Sequence, residues 1–290
     1  VLEDQEKLVA EFPRVPAYRR DLAGCLNNLG ALLYNTQRLP AAEAPLRRAL
    51  ALRRELAADP SALPGDRSQL ATAHYNLANL LKDLDQHPEA EDAYREARRQ
   101  FEKLVSEFPQ TIDHRHVLGA VLNNLSRYPR GRGDLAESRA LLERAIEHQS
   151  IALRSNPQHP RYREYLANHY RSLVEILIRQ AEHGEAARIA AEAPRLFPTR
   201  WQECVRAAEY FSRCVPLAEK DARLPEDLRR TQAQVYADQA MTWLRDAAAK
   251  GCKDLGQRTR SAAFDPLRGR ADFQKLVQDW EAGPTQQPPP

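Results

Sequence analysis

The sequence predicts an all-α fold, a right-handed α-solenoid of about five helical hairpins that ends in a capping helix. Hydrophobic residues make up 42% and charged residues 29% of the 290 residues, a composition typical of solvent-exposed helices. A pattern of apolar and small residues recurs every 48 positions. Prolines recur at nearly the same interval, as expected if each one marks the end of a hairpin.

The repeat is clearest at a leucine followed, in three of its four copies, by a small residue. The four copies are Leu29-Gly30, Leu77-Ala78, Leu125-Ser126 and Leu173-Val174. A second set of mostly small residues follows 12 positions later, at Ala42, Ala90, Ser138 and Ala186. The small residues predict places where neighbouring helix backbones approach closely, and large residues such as Leu46 and Tyr94 are expected to fill the space between helices. Pro109 and Pro157 keep the interval, whereas Pro60 lies one residue early.

This spacing resembles the consensus of the tetratricopeptide repeat (TPR), with Pro198 in the terminal proline position. The familiar TPR period is 34 residues, so the extra residues, about 14 per unit, would add about two turns to each helix. Such long helices are similar to those of TPRs of the kinesin light chain type. Together with the ending Phe264–Arg270, the chain resembles the C-terminal TPR regions of serine/threonine protein kinases from planctomycete-like bacteria. That resemblance implies a bacterial, kinase-associated region without catalytic residues of its own.

Three regions are predicted along the chain. Residues 1–199 form four long-helix units preceded by a partial helix, residues 200–282 form a fifth helical pair and a capping helix, and residues 283–290 form a disordered proline-rich tail. The helices predicted in the second region run from Trp201 to about Lys220, from about Leu228 to Lys250 before Gly251, and from Ala271 to Glu281.

The sequence argues against an enzyme and against a bound metal or cofactor. No nucleophile, base and orienting group can be assembled from the spacings, and the phosphate loop and catalytic motifs of a kinase are absent from the sequence. His114 and His116 lie two residues apart on a predicted helix, so their side chains point in different directions and do not favour a metal site. Arg127, Arg130 and Arg132 could meet a phosphate, but they are interpreted as part of a solvated loop.

Charge and hydropathy narrow the expected partners. The net charge is only +3, with both signs interspersed, so nucleic acid is not expected and RNA binding is a minor alternative. The sequence has no run of 18 apolar residues, no signal-peptide pattern and no dense cysteine framework, so we expect a cytoplasmic segment that makes no membrane contact. Because the chain begins with Val1 rather than methionine, it is interpreted as a piece of a longer protein.

Asparagine recurs at one position of the first helix in three units. Asn28, Asn76 and Asn124 are separated by 48 residues, whereas the fourth unit has Ser172. An amide can pair with both the N–H and the C=O of an extended peptide, and the resemblance to kinesin light chain TPRs implies that role here. The residues expected to lie nearby are Asn27, Asn79, Asn123, Tyr75, Lys82 and Arg127. The alternative is that the amides only connect adjacent helices or lie without a role in a solvated groove.

The predicted function is therefore that of a protein–protein interaction scaffold, which binds a protein or peptide partner in a concave groove as a non-catalytic region of a larger signalling protein. A structural spacer or self-association module is the alternative. The sequence does not identify the partner or the oligomeric state.

Overall fold

The computed structural model describes residues 2–281, and all the regular secondary structure within that range is helical. The all-α fold class predicted from the sequence is thereby confirmed. The predicted proline-rich tail, residues 283–290, lies outside the described residues. None of the described helices is long and apolar enough to span a membrane.

Long helices follow one another in chain order as predicted. The N-terminal helix is α1 (Leu2–Glu11), and the repeats contain α2 (Pro16–Asn35), α3 (Leu39–Ala58), α4 (Pro64–Asp83), α5 (His87–Glu107), α6 (Ile112–Leu125), α7 (Arg127–Gly131), α8 (Leu135–Ser155), α9 (Pro160–Arg179), α10 (His183–Ala190) and α11 (Glu192–Leu196). The C-terminal part contains α12 (Trp201–Glu219), α13 (Glu226–Ala249), α14 (Leu255–Arg258), a 3-10 helix (Ala262–Leu267) and α15 (Ala271–Glu281). The last helix has the bounds predicted from the sequence.

Two of the repeat helices are interrupted where the sequence predicted continuous helices. The first helix of the third unit divides into α6 and α7 ahead of Pro129, and the second helix of the fourth unit divides into α10 and α11 ahead of Pro194. Proline lacks a backbone N–H and its ring collides with the preceding turn, so the helical hydrogen-bond pattern breaks there. Consequently Arg127 and Arg130 lie on the short helix α7, which corrects their interpretation as loop residues.

The described chain contains two compact units. Within the described residues, the first comprises residues 2–133 and 144–157, and the second comprises residues 134–143 and 158–281. In the first unit, α2 packs against α3, and α4 packs against both α3 and α5. In the second unit, α12 packs against α10, α13 and the 3-10 helix. The division predicted at residues 199 and 200 stays a prediction.

The small residue of the repeat occupies a close-packed position in the first hairpin. Gly30 of α2 is buried against Leu46 of α3, and a methyl group added at Gly30 would lie 2.5 Å from Leu46 Cγ. Ala78 fills the equivalent position of the second hairpin and is completely buried. The predicted role of these small residues, to let two helices approach closely, therefore has a direct steric basis at Gly30.

The turn inside each of the first four hairpins has the same backbone geometry. Each turn contains one residue in the left-handed region, and these residues are 48 positions apart: Gln37 (φ 60°), Asp85 (φ 59°), Gly133 (φ 86°) and Ala181 (φ 58°). At three of the turns the next residue donates its N–H to a carbonyl five residues back, as in Arg38 to Leu33 at 2.8 Å. This is the usual way of ending a helix on a left-handed residue, a position that favours glycine.

Because only the third turn has glycine at the left-handed position, exchanging the residue types should change stability in opposite directions. Ala181→Gly is expected to raise the free energy of unfolding by about 1 kcal/mol, since alanine pays a steric cost at positive φ. Gly133→Ala should lower it by a similar amount, and nothing within 4 Å would contact the added methyl group. Chemical denaturation of the two variants tests both signs; changes of the same sign would contradict the explanation.

Candidate partner-binding surface

The three register-equivalent asparagines lie on the first helices of successive hairpins in the first unit. Asn28 on α2 is exposed, and Asn76 on α4 and Asn124 on α6 are half-buried. We call these three residues the asparagine face. Their placement follows from the 48-residue period, which puts the same turn of each first helix at the same register.

Two of these amides also connect neighbouring hairpins. Asn76 Nδ2 donates to Asn27 Oδ1 at 2.9 Å, and Asn124 Nδ2 donates to Asn79 Oδ1 at 3.0 Å. Tyr94 OH donates to the same Asn79 oxygen at 2.6 Å. An amide has two N–H donors and one acceptor oxygen, so one such bond leaves an acceptor and a second N–H for another partner. The geometry is therefore compatible both with a structural role and with contact to a bound chain.

The other residues predicted near the asparagine face divide into two groups. Tyr75 is half-buried, with its ring 6.2 Å from that of Tyr94, and Asn123 has a buried Oδ1 that accepts no hydrogen bond from any residue within 2–281. Lys82 and Arg127 instead lie at the end of α4 and on α7, where both line a cavity of about 550 Å³. That cavity, which we call the turn cavity, is also lined by Tyr128 and by Arg132, which pairs with Glu91 at 2.8 Å.

A second cavity, of about 650 Å³, lies beside Asn28 and contains a charged residue that the sequence analysis missed. Arg53 of α3 is only 8% exposed and makes no hydrogen bond or ion pair with any described residue. We call this space the Arg53 cavity. The side chains that matter for its chemistry are those of Arg20, Asp21, Cys25, Asn28, Arg53 and Asp66.

The other arginine that lines the Arg53 cavity, Arg20, forms an ion pair with Asp66. Arg20 donates through Nε to Asp66 Oδ1 at 2.9 Å and through Nη2 to Asp66 Oδ2 at 2.8 Å. The same Asp66 accepts the backbone N–H of Leu63 at 2.8 Å, which stabilises the start of α4. Arg20 holds the pKa of Asp66 below its usual value, whereas burial lowers the pKa of Arg53, an effect that Asp66 and Asp21 partly offset.

Arg53 could have been identified by comparing its position with the equivalent positions of the later repeats. The positions 48, 96 and 144 residues later are Phe101, Gln149 and Phe197, and all three are buried. Gln149 Oε1 accepts a hydrogen bond from His116 Nδ1 at 3.0 Å. A positive charge at a position that other units fill with buried neutral side chains is therefore exceptional within this chain.

Neither of the histidines considered for a metal site has suitable neighbours. His116 is engaged with Gln149, and no group of three or more histidine, cysteine, aspartate or glutamate side chains within residues 2–281 could hold a metal ion. The Arg132-Gly133-Asp134 sequence forms the turn before α8, and Asp134 Oδ1 accepts the N–H of Glu137 at 2.9 Å. That hydrogen bond satisfies a backbone N–H in the first turn of α8.

A buried polar cluster in the second unit connects α10, the loop before α13, and α13. His183 Nδ1 lies 2.9 Å from Tyr236 OH, and His183 Nε2 lies 3.0 Å from Asp221 Oδ2. Asp221 is also paired with Arg223 at 2.9 Å. Each ring nitrogen of the histidine is thus occupied by a protein partner, an arrangement that satisfies buried polar groups and fixes these segments together.

These observations define the chain as a helical-hairpin repeat protein. The sequence model of the tetratricopeptide repeat family matches residues 22–59, 70–116 and 118–147. No curated protein matches the sequence. The family match and the hairpins support a TPR array, as the resemblance seen in the sequence implied.

Two solved structures share the fold at low sequence identity. BtubC (BKLC) from P. vanneervenii is 17% identical over 86% of this chain and 88% of its own, with a TM-score of 0.54. The C-terminal part of a TPR repeat-containing protein from Cytophaga hutchinsonii is 14% identical over 99% and 90%, with a TM-score of 0.51. The TM-scores indicate a common fold, whereas identities this low carry no information about a shared ligand.

Proposed function

We propose that this chain is a protein–protein interaction scaffold that holds a peptide or protein partner against the asparagine face of its first unit. TPR arrays generally mediate protein–protein interaction. The observation that carries the proposal is the repetition of Asn28, Asn76 and Asn124 at one register on three successive first helices. Amides repeated in this way can pair with the backbone of an extended chain whatever its side chains are.

The proposed setting follows from the sequence resemblance. We infer that the array is a non-catalytic region of a larger bacterial signalling protein, with an attached serine/threonine kinase as the expected neighbour in the cytoplasm. The proposed partner is a protein rather than a nucleic acid, because the net charge of +3 supplies no extended basic surface. No catalytic step is assigned to this chain.

The proposal is tested by substituting the asparagine face and measuring peptide affinity. Peptides selected from a displayed random library on the wild-type chain supply the ligands, and fluorescence anisotropy supplies the dissociation constants. The triple variant Asn28→Ala, Asn76→Ala, Asn124→Ala is expected to bind them at least about tenfold more weakly, because several backbone hydrogen bonds are lost together.

A matched control separates binding from structure. The double variant Asn27→Ala, Asn79→Ala removes both acceptors of the hydrogen bonds between hairpins and keeps all three residues of the asparagine face. If the amides hold a partner, the triple variant loses much more affinity than the double variant. Equal losses of affinity in the two variants, with equal losses of stability, would assign the amides a structural role and reject the proposal.

A further inference from the structure

The turn cavity carries an excess of positive charge. Its volume is about 550 Å³, and the described residues that line it include four lysine or arginine side chains but one carboxylate, that of Glu91. The four cations are Lys82 near the end of α4, Arg127 and Arg130 on α7, and Arg132 directly after α7. Cations gathered in a confined space repel one another and attract an anion.

The carboxylates close to these cations do not neutralise Arg127. Glu91 pairs with Arg132 at 2.8 Å, and Asp83, next to the cavity, pairs with Lys82 at 2.9 Å. The side chain of Arg127 is exposed and makes no hydrogen bond or ion pair with any other residue in the described part of the chain. Its guanidinium therefore has all five N–H donors available to a ligand.

The turn cavity lies where a side-chain contact between successive hairpins is missing. Between the first and second hairpins, the hydroxyl of Tyr34 on α2 donates to Asp83 Oδ2 on α4. The residues 48 positions later, between the second and third hairpins, are Lys82 and Gly131. Gly131 lines the cavity, and a β-carbon added to it would meet nothing within 4 Å. The third hairpin thus lacks the carboxylate that the second hairpin presents to the first.

The repeat architecture does not require the arginines at positions 127 and 132. The residues at the position of Arg127 in the other three units are Ala31, Asn79 and Glu175, and those at the position of Arg132 are Thr36, Leu84 and Gln180. None of these six residues is a cation, so the hairpin forms without positive charge there. The third unit has therefore lost an acid and gained two arginines around the same cavity.

The charge and the lining of the cavity indicate the class of ligand. A phosphate monoester carries a charge of about −1.5 to −2 at pH 7 and three acceptor oxygens, whereas a carboxylate carries one charge and two oxygens. Arginine guanidinium groups match phosphate oxygens with paired N–H donors. Pro88 and the ring of Tyr128 form an apolar part of the lining, which suits the carbon atoms attached to a phosphate.

We propose that the turn cavity binds a doubly charged phosphate, with Arg127 as its principal donor and with Lys82 and Arg130 stabilising the second negative charge. The phosphate is either inorganic phosphate or the monoester of a phosphorylated side chain, since both present the same oxygens. This inference goes beyond the proposed function, because the described lining of the turn cavity includes none of the asparagine face. A nucleic acid fits less well, since it requires a basic surface that follows many phosphates.

The test uses three dye-labelled, amidated hexapeptides that differ only in one central residue, which is phosphoserine, glutamate or serine. Fluorescence anisotropy in about 150 mM salt, which screens attraction between distant surface charges, supplies the dissociation constants. We expect the phosphoserine peptide to bind at least about tenfold more tightly than either of the others. A smaller preference, or undetectable binding of all three peptides, would overturn the inference.

Two arginine substitutions test whether the preference depends on this cavity. Arg127→Gln is expected to reduce the preference for phosphoserine to less than about threefold. Arg38→Gln is the matched control, because Arg38 is an exposed turn residue of the first hairpin whose side chain makes no hydrogen bond or ion pair with any other described residue. Equal effects of the two substitutions would mean that the peptide responds only to net charge, and would reject the site.

Two substitutions of Gly131 test the site without removing an arginine. Gly131→Asp introduces the carboxylate that Asp83 supplies at the equivalent position, and Gly131→Asn introduces a side chain of the same size without the charge. We expect the aspartate variant to lose the preference for phosphoserine and the asparagine variant to keep it within about threefold. Thermal unfolding verifies that both variants are folded. A preference retained by the aspartate variant, or lost equally in both, would contradict the inference.

Competition experiments identify the source of the phosphate. Inorganic phosphate that displaces the phosphoserine peptide with a similar dissociation constant would identify the free ion as a ligand. Displacement only at much higher concentration would identify the phosphorylated side chain, and either result keeps the proposed chemistry. A single-stranded hexanucleotide that binds more tightly than the phosphoserine peptide, and does so through Arg127, would assign the site to nucleic acid and overturn the inference.

The outcome is distinguishable from that of the proposed function. The triple variant of the asparagine face is expected to keep the preference for phosphoserine, because its three substitutions lie outside the lining of the turn cavity. If that variant loses the preference while Arg127→Gln keeps it, the asparagine face is the binding surface and the present inference fails. If Arg127→Gln alone loses the preference, the turn cavity is a phosphate site whatever the asparagine face does.

Discussion

Replacing Asp66 with asparagine is expected to lower the free energy of unfolding by about 3 kcal/mol. Asp66 is 3% exposed and accepts three hydrogen bonds from Arg20 as well as the N–H of Leu63. Asparagine keeps the shape but removes the charge, which leaves the guanidinium of Arg20 without its ion-pair partner. The measurement is urea-induced unfolding at pH 7, followed by circular dichroism.

An exposed ion pair provides the matched control. Glu107 accepts two hydrogen bonds from Arg67, at 2.7 and 2.9 Å, and the two side chains are 44% and 41% exposed. Glu107→Gln is the same acid-to-amide change in similar geometry, but water solvates both charges, so we expect a much smaller loss of stability than at Asp66. Equal losses at the two positions would mean that burial of Asp66 is not the source of the effect.

The effect of Asp66→Asn should also depend on pH in a defined direction. Arg20 lowers the pKa of Asp66 in the folded chain, so the folded state favours the ionised carboxylate more than the unfolded state does. The resulting stabilisation is complete above the unfolded pKa of about 3.9 and is lost as the pH falls through the lower folded pKa. The difference between wild type and Asp66→Asn should therefore be constant near neutrality and shrink in acid. A difference that grows below pH 4 would contradict this explanation.

Gly30→Ala is expected to lower the free energy of unfolding by about 2 kcal/mol. The added methyl group would lie 2.5 Å from Leu46 Cγ and 2.6 Å from Leu46 Cδ2, so α2 and α3 must separate or Leu46 must leave its packed position. Overpacking of this kind costs about 1–3 kcal/mol, which outweighs the gain of about 0.5–1 kcal/mol from alanine within a helix.

A second glycine of the same helix should respond in the opposite direction. A methyl group at Gly24 would meet only Arg53 Nη2, at 3.8 Å, which is an ordinary contact. Gly24→Ala is therefore expected to stabilise the chain by about 0.5–1 kcal/mol, since only the helix propensity changes. Thermal and urea unfolding of both variants checks the two signs. Destabilisation by both substitutions would show that steric conflict with Leu46 is not the deciding difference.

Much of the fold could be predicted because it repeats. The 48-residue interval predicted the helical hairpins, and the small residues at positions 30 and 78 predicted where the two helices of a hairpin approach closely. The interruptions before Pro129 and Pro194 were missed, because prolines were interpreted only as markers of hairpin ends. The left-handed positions were missed as well, since three of the four turns hold a residue other than glycine there.

The candidate site was predictable only in part. Periodicity placed Asn28, Asn76 and Asn124 at one register, but it could not show that Asn76 reaches Asn27 while Asn124 reaches Asn79. These hydrogen-bond partners depend on how each hairpin is rotated against the next. The spacing of residues along the sequence does not contain that rotation. Arg53 was missed because the search considered polar residues of the first helices only, whereas Arg53 lies on a second helix.

The constant turns have a consequence for how this chain can change in length. Three residues separate the two helices of each of the first four hairpins, as in Thr36–Arg38, whereas five residues connect α3 to α4 and four connect α5 to α6. The five-residue connection also accounts for the early position of Pro60. One residue inserted into a helix would rotate everything beyond it by about 100° and misalign its apolar side. Insertions and deletions in homologous chains should therefore accumulate between hairpins and spare the left-handed turns.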